Sequence, residues 1–526
     1  MKIQLDLSSP KPFSKHFLFG IGSGHAPLLL RKDAVEQLKF IHDTLGIQQV
    51  RFHGIFNDDM NVVRSLQDVL PLPGAERFVD ISFERIGEVY DHVLEAGMKP
   101  FVELGFMPSH FAAHKEQRTL FYYGYPGSAS MPKEEAKWQD FIRSFVYFLF
   151  DRYGEEEVLT WNFEVWNEPN LIVFFGGSQA DYFRLYEMTA RAVKSVHPKL
   201  KIGGPATAAS EWIPEFLRFV KGHNVPCDFI STHQYAGDPI GQIAGGDSTH
   251  REGSSPFSNP TILSSVPNGS ILSGLRHVFI DKSERDEMRN DTIILNAKSA
   301  KQLVGDLPLY YTEWNENATF SAVSNDTRKV AAFLVMTALK TEGSIDGSSV
   351  WCFSDIFEEM HMFHEEFHGG FGLLSHHGIP KPSYYALKFL SQVGEERFAT
   401  PDQMGDITVA AFQSEQGDIQ ILLTRQNMKN LDLGKEEVEV VLPKNGFSSA
   451  FLSAISEDSG NPYKEYQKMG KAELSKVEIA AIKEKSQVKK LSLPFQEKGL
   501  ETTFRVELGV NDVLLVEFRK AKGVNR

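Results

Sequence analysis

Two stretches of the sequence place a glutamate at the end of an apolar run. In "FEVWNEPN", residues 163–170, Glu168 follows alternating apolar residues, and the proline after it removes a ladder donor, so a strand should end there. In "YYTEWN", residues 310–315, Glu313 occupies a similar place. A carboxylate at the end of a buried strand costs free energy unless something uses it. We therefore treat Glu168 and Glu313 as candidate catalytic residues.

Two carboxyl groups that flank a bond are what glycoside hydrolysis needs. One protonates the leaving oxygen, and the other attacks the anomeric carbon or activates water. A retaining mechanism predicts about 5–5.5 Å between the groups, whereas about 8 Å or more indicates inversion. Trp166, Trp314 and Trp351 suit the faces of a sugar ring, although aromatic residues at strand ends more often serve packing. Either glutamate alone fits an ordinary surface residue, but the two together favour a catalytic pair.

The elements that would position this pair alternate along the chain from about residue 17 to about residue 395. The candidate strands are "HFLFGIG", "IQQVRFH", "KPFVELG", "VLTWNFEVW", "LKIGG", "CDFIST", "LPLYYTE" and "SSVWCFS". Helical spacing of apolar residues occurs near 33–45, 80–96, 137–152, 179–196, 211–222, 290–304 and 326–342. Eight strands that alternate with helices predict an α/β fold, the (β/α)₈ TIM barrel, whose chemistry lies at the carboxyl ends of the strands.

Two regions depart from this alternation. Residues 236–289 are rich in Gly, Ser and Pro and too long for an ordinary connection, so we expect an insertion that packs beside the pocket mouth or forms a subunit contact. After about residue 395, alternating strands such as "DIQILLT" and "EVEVVLP" predict an appended β-sandwich. The predicted domains are 1–14, a strand that joins the sandwich, 15–395, the catalytic barrel, and 396–526, the β-sandwich.

The composition excludes several classes of function. The chain has 526 residues, of which 42% are hydrophobic and 24% charged, as in a folded globular protein. Its formal charge of −14 argues against a nucleic-acid partner, and no apolar run is long enough to span a membrane. The N-terminal stretch lacks the apolar region of a secretory signal, and Cys227 and Cys352 have no metal or redox spacing. We therefore expect a cytoplasmic protein.

Several longer stretches together resemble a known family. They are "VRFHGIFNDDM", "ELGFMPSHFA", "FEVWNEPN", "LKIGGPA", "YYTEWN", "WCFSDIFEE", "FHGGFGLL" and "IPKPSYYALKFL", and "NPYKEYQKMG" extends them into the C-terminal part. In this order they are similar to the retaining β-xylosidases of glycoside hydrolase family 39, which also contains α-L-iduronidases. We accordingly expect a (β/α)₈ enzyme with a small carbohydrate substrate, no cofactor and no metal, and we allow for a homo-oligomer.

The resemblance implies roles for individual residues. Glu168 matches the family's acid/base, and Glu313 matches its nucleophile. Asn167 matches the residue that hydrogen-bonds the sugar 2-hydroxyl. Arg51 is expected to keep the nucleophile ionised, since a neighbouring cation lowers the pKa of a carboxyl group. The residues that the resemblance places in the glycone pocket are His53, Phe121, His233, Tyr235, Trp351, Glu358 and Glu359.

One departure from the family and one false motif qualify this assignment. The xylosidases usually carry a tyrosine shortly after "TEWN", but Ala318 stands there, which leaves Phe320 or a loop residue to take its place. "HEEFH", residues 364–368, matches a zinc motif that requires a helix with His364 and His368 one turn apart. Two glycines follow at once and argue against such a helix, so we predict no metal there.

The activity that these features predict is that of a retaining exo-β-xylosidase. It would release xylose from the non-reducing ends of xylo-oligosaccharides by double displacement. Two alternatives stay open. One is another activity of the family, an α-L-arabinosidase, a β-glucosidase or, less readily, an α-L-iduronidase, since the sequence has no obvious cationic clamp for a substrate carboxylate. The other is a catalytically inactive sugar-binding protein.

Overall fold

Twenty-one strands and eleven α-helices build the part of the chain that the computed structural model describes. That part comprises residues 1–119, 127–238, 291–318, 320–359, 361–400 and 404–520, together with Ile243 and Gly269. The first twelve strands are β1 (Lys2–Gln4), β2 (Lys11–Pro12), β3 (Gly20–His25), β4 (Gln49–His53), β5 (Val63–Ser65), β6 (Val79–Ile81), β7 (Lys99–Leu104), β8 (Asn162–Val165), β9 (Lys201–Thr207), β10 (Phe229–Tyr235), β11 (Leu309–Asn315) and β12 (Gly347–Val350). The others are β13 (Glu396–Arg397), β14 (Ile407–Gln413), β15 (Ile419–Arg425), β16 (Glu436–Pro443), β17 (Phe447–Ile455), β18 (Lys490–Ser492), β19 (Phe495–Lys498), β20 (Glu501–Leu508) and β21 (Val513–Lys520). The helices are α1 (Lys32–Leu45), α2 (Glu84–Glu95), α3 (Glu135–Tyr153), α4 (Glu155–Val158), α5 (Gln179–Val196), α6 (Ile213–Gly222), α7 (Thr292–Val304), α8 (Arg328–Lys340), α9 (Pro382–Gln392), α10 (Pro462–Met469) and α11 (Lys476–Lys485).

Eight parallel strands close into the barrel that the alternation predicts. They are β3, β4, β7, β8, β9, β10, β11 and β12, and neighbours in the barrel follow one another along the chain. Among the described residues, the antiparallel hairpin of β5 and β6 is the one strand pair that comes between two of them without joining the barrel. The predicted (β/α)₈ barrel is therefore confirmed, and the carboxyl ends of all eight strands meet at one face.

Most helices around the barrel bury one apolar side against it, whereas α8 is buried on all sides. In α3 the buried residues recur every three or four positions, and they are Trp138, Phe141, Ile142, Phe145, Val146 and Leu149. Helix α5 begins at a capping box, in which the Ser178 side chain accepts from the Asp181 N–H at 3.2 Å and the Asp181 carboxylate accepts from the Ser178 N–H at 2.8 Å. Such local signals fix where a helix starts, and packing fixes which side it buries.

The first barrel strand begins later than its apolar run predicts. The segment His16–Leu18 forms a short 3₁₀ turn, and β3 starts at Gly20. The reason is that His16 is buried and finds polar partners on other elements. Its Nδ1 lies 3.0 Å from the Ser348 hydroxyl, and its Nε2 lies 3.1 Å from the carbonyl oxygen of Ala338.

Two sheets form the appended β-sandwich, which is confirmed as part of the fold. One sheet has the strand order β1-β16-β20-β19, and the other has the order β18-β17-β21-β15-β14-β13-β2. Both take a strand from the N-terminus, because β1 pairs in parallel with β16 and β2 pairs with β13. Ile3 and Leu5 accordingly lie in the sandwich core. The exact domain boundaries given above stay a prediction.

Two helices interrupt the sandwich where the sequence suggests only strands. Helix α10 starts with a proline at its first position, and α11 starts with a capping box between Ser475 and Glu478. Ile479 and Ile482 of α11 pack against Phe367 of the barrel domain. These helices therefore fasten the sandwich to the barrel.

Two further sequence predictions concern membrane-spanning segments and the insertion at 236–289. No helix within those ranges is long and apolar enough to cross a membrane. The predicted insertion at 236–289 lies outside the described residues except for 236–238, Ile243 and Gly269, and its packing stays a prediction.

Candidate active site

Glu168 stands on a strained turn just beyond β8. The backbone φ is 73° at Trp166 and 41° at Glu168, a left-handed region that side chains with a Cβ rarely adopt. Such strain persists only where the surroundings enforce it, and it is common at functional sites. Here the Trp166 indole N–H donates to the Phe174 carbonyl at 3.0 Å, and the Glu168 N–H donates to the Ala206 carbonyl at 2.8 Å. These bonds hold the Glu168 carboxyl group at the carboxyl end of the barrel.

Glu313, near the end of β11, is held from two sides. Its Oε1 accepts from Arg51 Nη1 at 2.8 Å, and its Oε2 accepts from the Tyr235 hydroxyl at 2.8 Å. His53 Nε2 lies 3.5 Å from the same Oε1. Three groups on two strands, β4 and β10, thus fix the orientation of this carboxylate and favour its charged form.

The two carboxyl groups face each other across a short gap. One carboxylate oxygen of Glu168, one of Glu313 and a ring nitrogen of His233 all lie within 4.8 Å of one another. His233 Nδ1 lies 2.9 Å from Glu168 Oε1 and 3.8 Å from Glu313 Oε1. An inverting pair keeps its carboxyl groups roughly 6.5–9.5 Å apart to admit a water molecule. The gap here is shorter than that range.

Arg51 is the charged centre beneath the pair. Besides Glu313, its guanidinium donates to Glu164 Oε2 at 2.6 Å and to Asn167 Oδ1 at 3.0 Å. Its Nη2 also lies 3.0 Å from Glu103 Oε2. One permanent positive charge is therefore shared among three carboxylates, and Asn167 is fixed by the same side chain.

Sequence reasoning did not identify Glu103 and Glu164 as part of this site. Each lies inside a barrel strand among apolar neighbours and is buried. A carboxylate in the middle of a buried strand needs a cationic partner, and Arg51 in the strand "QVRFH" supplies it. That mismatch between residue type and strand position is the signal that would have revealed them.

The surroundings of the two catalytic candidates favour different protonation states. Burial, and then the charge of Glu313, raise the pKa of Glu168 well above its usual range. Burial also raises the pKa of Glu313, but by less, because Arg51, His53 and Tyr235 favour its charged form. The expected effect of Arg51 is thus present, although burial outweighs it. The site provides one carboxyl group that keeps its proton and another that gives it up more readily.

His53 lies between Glu103, one of the carboxylate partners of Arg51, and the ring of Trp351. Its Nδ1 lies 2.7 Å from Glu103 Oε2, and its ring centroid lies 4.9 Å from that of Trp351. Burial opposes a charge on the ring, but the Glu103 carboxylate and then Glu313 raise the pKa of His53 above its usual value. His53 therefore adds positive charge close to Glu313.

A cavity of about 200 Å³ opens beside the pair. The predicted residues on its wall are His53, Asn167, Glu168, Tyr235, Glu313, Trp351 and Glu359. The wall residues that were not predicted as pocket residues are Leu171, Val173, Phe174, Ala208, Asp238, Ala318, Phe320 and Phe371. The Trp351 ring reaches the wall because a Cβ at Gly22 would lie 2.3 Å from its Cε3, so only glycine leaves room for it.

Three of the predicted site residues that the structure describes are not on this wall. Arg51 and His233 lie behind the pair and contact it through hydrogen bonds. Phe121 lies outside the described residues. Glu358 points elsewhere, with its Oε1 3.2 Å from His25 Nδ1.

His25 explains the position of Glu358. The imidazole is buried, and its Nε2 lies 3.4 Å from Asp59 Oδ2. Burial opposes its charge, but hydrogen bonds with Asp59 and Glu358 raise the pKa of His25. Because His25 holds the Glu358 carboxyl group, only Glu359 of this adjacent pair reaches the cavity.

The stretch after "TEWN", where the family carries a tyrosine, offers no hydroxyl group to the cavity at Ala318 or Phe320. Ala318 and Phe320 both line the cavity, but neither has a hydroxyl group. The hydroxyl that contacts Glu313 belongs to Tyr235, at the end of β10. The resemblance predicts that Tyr235 lines the pocket, but it does not predict the hydrogen bond between Tyr235 and Glu313.

The zinc motif at 364–368 does not form the helix that metal binding requires, since residues 361–364 are irregular and 365–369 are turns and bends. His364 packs edge-on against His376, and His368 Nδ1 lies 2.9 Å from the Glu365 carbonyl oxygen. Glu168, His233 and Glu313 have a spacing that a metal ion accepts. However, the permanent charge of Arg51 lies next to Glu313 and opposes a second cation there.

A (β/α)₈ barrel whose strand ends carry two facing carboxyl groups is the architecture of a glycoside hydrolase. The sequence profile described as "Glycosyl hydrolases family 39" matches residues 1–245 and 278–502, and the chain belongs to this family. The resemblance and the enzyme class are thereby confirmed. The unmatched stretch 246–277 falls inside the predicted insertion at 236–289.

The chain is similar to proteins from several bacteria over most of its length. A β-xylosidase of Caldicellulosiruptor saccharolyticus is 36% identical over 476 residues, which cover 89% of this chain and 88% of that protein. A β-xylosidase of Geobacillus stearothermophilus is 32% identical over 464 residues, or 87% and 84% of the two chains. The crystal structure of a monomeric β-xylosidase from Caulobacter crescentus CB15 has a TM-score of 0.78 at 30% identity and covers 99% of this chain and 100% of its own.

Proposed function

We propose that the protein is a retaining, exo-acting β-xylosidase, with Glu168 as acid/base and Glu313 as nucleophile. The observation that carries the proposal is the short gap of at most 4.8 Å between their carboxylate oxygens. That gap leaves no room for a water molecule between the sugar and the base, as inversion requires. The activities of the relatives from C. saccharolyticus and G. stearothermophilus support xylose as the glycone.

In the first step Glu313 attacks the anomeric carbon while the glycosidic bond breaks. Glu168 gives its proton to the leaving oxygen, so the departing group leaves as a neutral alcohol. Arg51 and the Tyr235 hydroxyl keep the Glu313 oxygens oriented until one of them forms the covalent bond. Asn167, held by Arg51, is placed to bond the 2-hydroxyl of the sugar, a contact that strengthens in the transition state.

In the second step water replaces the enzyme at the anomeric carbon. The Glu168 carboxylate removes a proton from the incoming water, and Glu313 departs as a carboxylate. Two inversions at the same carbon return the product to the original configuration. No cofactor takes part in either step.

The size of the cavity supports exo action on one sugar ring at a time. Its volume of about 200 Å³ is below the roughly 300–1,000 Å³ of sites for drug-sized ligands. Trp351 and His53 offer flat surfaces on the wall, and Glu359 offers a carboxylate to accept sugar hydroxyl groups. The described wall suits a single glycone better than an extended chain.

A panel of aryl glycosides tests the proposal. The β-D-xyloside should give the highest kcat/KM, ahead of the α-L-arabinoside, the β-D-glucoside and the α-L-iduronide. NMR of the first product should show β-xylose before mutarotation. A first product in the α configuration would exclude retention, a preference for another glycone would assign the chain to another activity of the family, and no turnover of any glycoside would leave sugar binding alone.

Two further proposals concern the state of the protein in the cell. A homo-oligomer formed through the insertion at 236–289 is supported by the length of that segment, and analytical ultracentrifugation of a variant trimmed at 241–260 tests it. A cytoplasmic location is supported by the unpaired Cys227 and Cys352, and fractionation of cells tests it.

A further inference from the structure

We infer that Thr312 is a positioning residue which sets the tautomer of His233 and thereby holds the proton on Glu168. The inference rests on the proposed role of Glu168 as acid/base and adds a residue to it. Thr312 lies beside the nucleophile in β11, and its hydroxyl is buried completely. It does not line the cavity, so it acts on the reaction through the side chains that it contacts, His233 and Glu164.

The backbone of β11 is irregular at this residue. Consecutive residues of a regular strand point to opposite faces, yet Thr312 and Glu313 both contact side chains inside the barrel. The pairing of β10 with β11 passes from Thr232 opposite Tyr311 directly to His233 opposite Glu313. Thr312 is therefore the extra residue of a β-bulge, a device that re-aims side chains next to active sites.

The hydrogen bonds of the Thr312 hydroxyl can be assigned a direction. It lies 2.9 Å from Glu164 Oε1 and 3.2 Å from His233 Nε2. Glu164 also forms a buried ion pair with Arg51 Nε at 2.6 Å, and the oxygens of a carboxylate in an ion pair serve as acceptors. Thr312 must donate its single proton to Glu164, so its oxygen is left to accept from His233.

His233 is thereby fixed as the tautomer that carries its proton on Nε2. Burial, and then the charges of Arg51 and His53, lower the pKa of His233 well below its usual value, so the ring is neutral. The other nitrogen, Nδ1, then presents a lone pair to Glu168 Oε1 at 2.9 Å. Only a protonated Glu168 can donate to that lone pair, and an ionised Glu168 would face it without any donor between them.

The charges around Glu168 act in the same direction. Besides burial, the charges of Glu313, Asp238 and Glu359 raise the pKa of Glu168, and the charge of Arg51 lowers it. When a glycoside is bound, the proton moves from Glu168 to the leaving oxygen as the carbon–oxygen bond breaks. His233 neither gains nor loses a proton in this step, and its lone pair makes the resulting carboxylate a better base for the second step.

The variant Thr312→Val tests the inference, because valine keeps the shape of threonine and removes the hydroxyl. His233 then loses the acceptor of its Nε2 proton and shifts toward the Nδ1–H tautomer, which stabilises an ionised Glu168. The alkaline limb of kcat/KM for phenyl β-xyloside, which needs protonation of its leaving group, should move down by about one pH unit or more. Hydrolysis of 2,4-dinitrophenyl β-xyloside, which needs little protonation, should change far less.

Two control variants separate this effect from a loss of packing. Thr312→Ser keeps the hydroxyl and should retain the wild-type pH profile. Thr337→Val removes the hydroxyl of another buried threonine, in α8, whose Oγ1 has no hydrogen-bond partner among the described residues, and should leave the profile unchanged. Equal losses on both substrates with an unmoved alkaline limb in Thr312→Val would overturn the inference.

The tautomer can also be observed directly in the wild-type enzyme. Protein labelled with ¹⁵N at histidine, compared with a His233→Asn variant to identify the signals, should show His233 protonated at Nε2 near neutral pH. Protonation at Nδ1 would overturn the inference even if Thr312→Val failed to fold. Lack of turnover by the wild type would instead overturn the proposed function, and the NMR result would still decide the state of His233.

Discussion

At the residue scale, Glu168 and Glu313 differ in the groups that hold them. Glu313 lies between Arg51 and the Tyr235 hydroxyl, which suits a charged nucleophile. Glu168 instead contacts the lone pair of a neutral His233 and keeps its proton. These environments predict that removing each carboxyl group will have a different effect.

Glu313→Ala should lower kcat on every substrate by about 10⁴-fold or more, since no covalent intermediate can form. Glu168→Ala should largely spare the first step with good leaving groups, because these need little protonation. Added azide should release a β-xylosyl azide from the Glu168 variant and an α-xylosyl azide from the Glu313 variant. NMR of the isolated azides measures this, and the opposite configurations would reverse the two roles.

His16 lies just before the first barrel strand, at the end of the barrel opposite the site. Its burial should make the stability of the protein depend on pH. Burial lowers its pKa to about 4 from an ordinary value near 6.5. The unfolded chain therefore binds a proton at a pH where the folded chain does not. This contribution to stability is complete above about pH 6.5 and is lost as the pH falls toward 4, by about 3 kcal/mol in total.

His16→Gln should accordingly flatten part of the fall in Tm between pH 7 and pH 5, although it lowers Tm at pH 7 by removing buried contacts. His114→Gln is the matched control, because the His114 side chain is 60% exposed and should not alter the slope. Differential scanning calorimetry of the three proteins measures these slopes. Parallel curves for wild type and His16→Gln would contradict the prediction.

At the scale of the elements, the sequence was most informative where apolar periodicity and chain order agree. The pattern predicts the eight barrel strands and places Glu168 and Glu313 at the ends of β8 and β11. The pattern did not predict the position of His233 behind Glu168, because a bulge in β11 changes the register there. It also did not predict that Glu358 bonds His25, since these residues are far apart in sequence. Local patterns carry no information on such long-range polar contacts.

The segment after β12, which carries Glu359 and Phe371 to the cavity, is held by a buried ion triad. Lys381 Nζ lies 2.6 Å from Asp326 Oδ1 and 2.6 Å from Asp355 Oδ2, and all three side chains are fully buried. Asp326 also accepts from the backbone N–H of Gly369 at 2.7 Å. The triad thus joins α9 to the loop that forms one side of the pocket.

Lys381→Met should destabilise the protein by about 3–5 kcal/mol, since it leaves two carboxylates buried without their cation. It should also raise KM, because the loop that carries Glu359 loses its anchor. Lys388→Met, seven residues further along in α9, is the matched control, and the Lys388 ammonium lies 5.8 Å from the centre of the Tyr384 ring. Thermal unfolding and steady-state kinetics measure both effects. A Tm and KM equal to those of Lys388→Met would show that the triad does not anchor the loop.

At the scale of the whole molecule, the N-terminal strand β1 belongs to the C-terminal sandwich. Substitutions of two adjacent residues in β1 test how much this strand contributes to the stability of the protein. Ile3 is completely buried in the sandwich core, whereas Gln4 faces solvent. Ile3→Ala should cost about 2–5 kcal/mol, and Gln4→Ala should remain within about 0.5 kcal/mol of the wild type. Chemical denaturation followed by tryptophan fluorescence and circular dichroism measures both. Equal stability of the two variants would mean that β1 contributes little to the sandwich.

The parallel pairing of β1 with β16 also constrains how the protein is made. The amino group of Met1 bonds the carbonyl oxygen of Glu437, 436 positions further along the chain. A ribosome that adds about 5–20 residues per second needs roughly 20–90 s to deliver that partner. During this time Ile3 and Leu5 have no sandwich core to enter, although the barrel can already form. The residues of β1 thus leave the ribosome long before β16 and are among the last of the described residues to reach their native places.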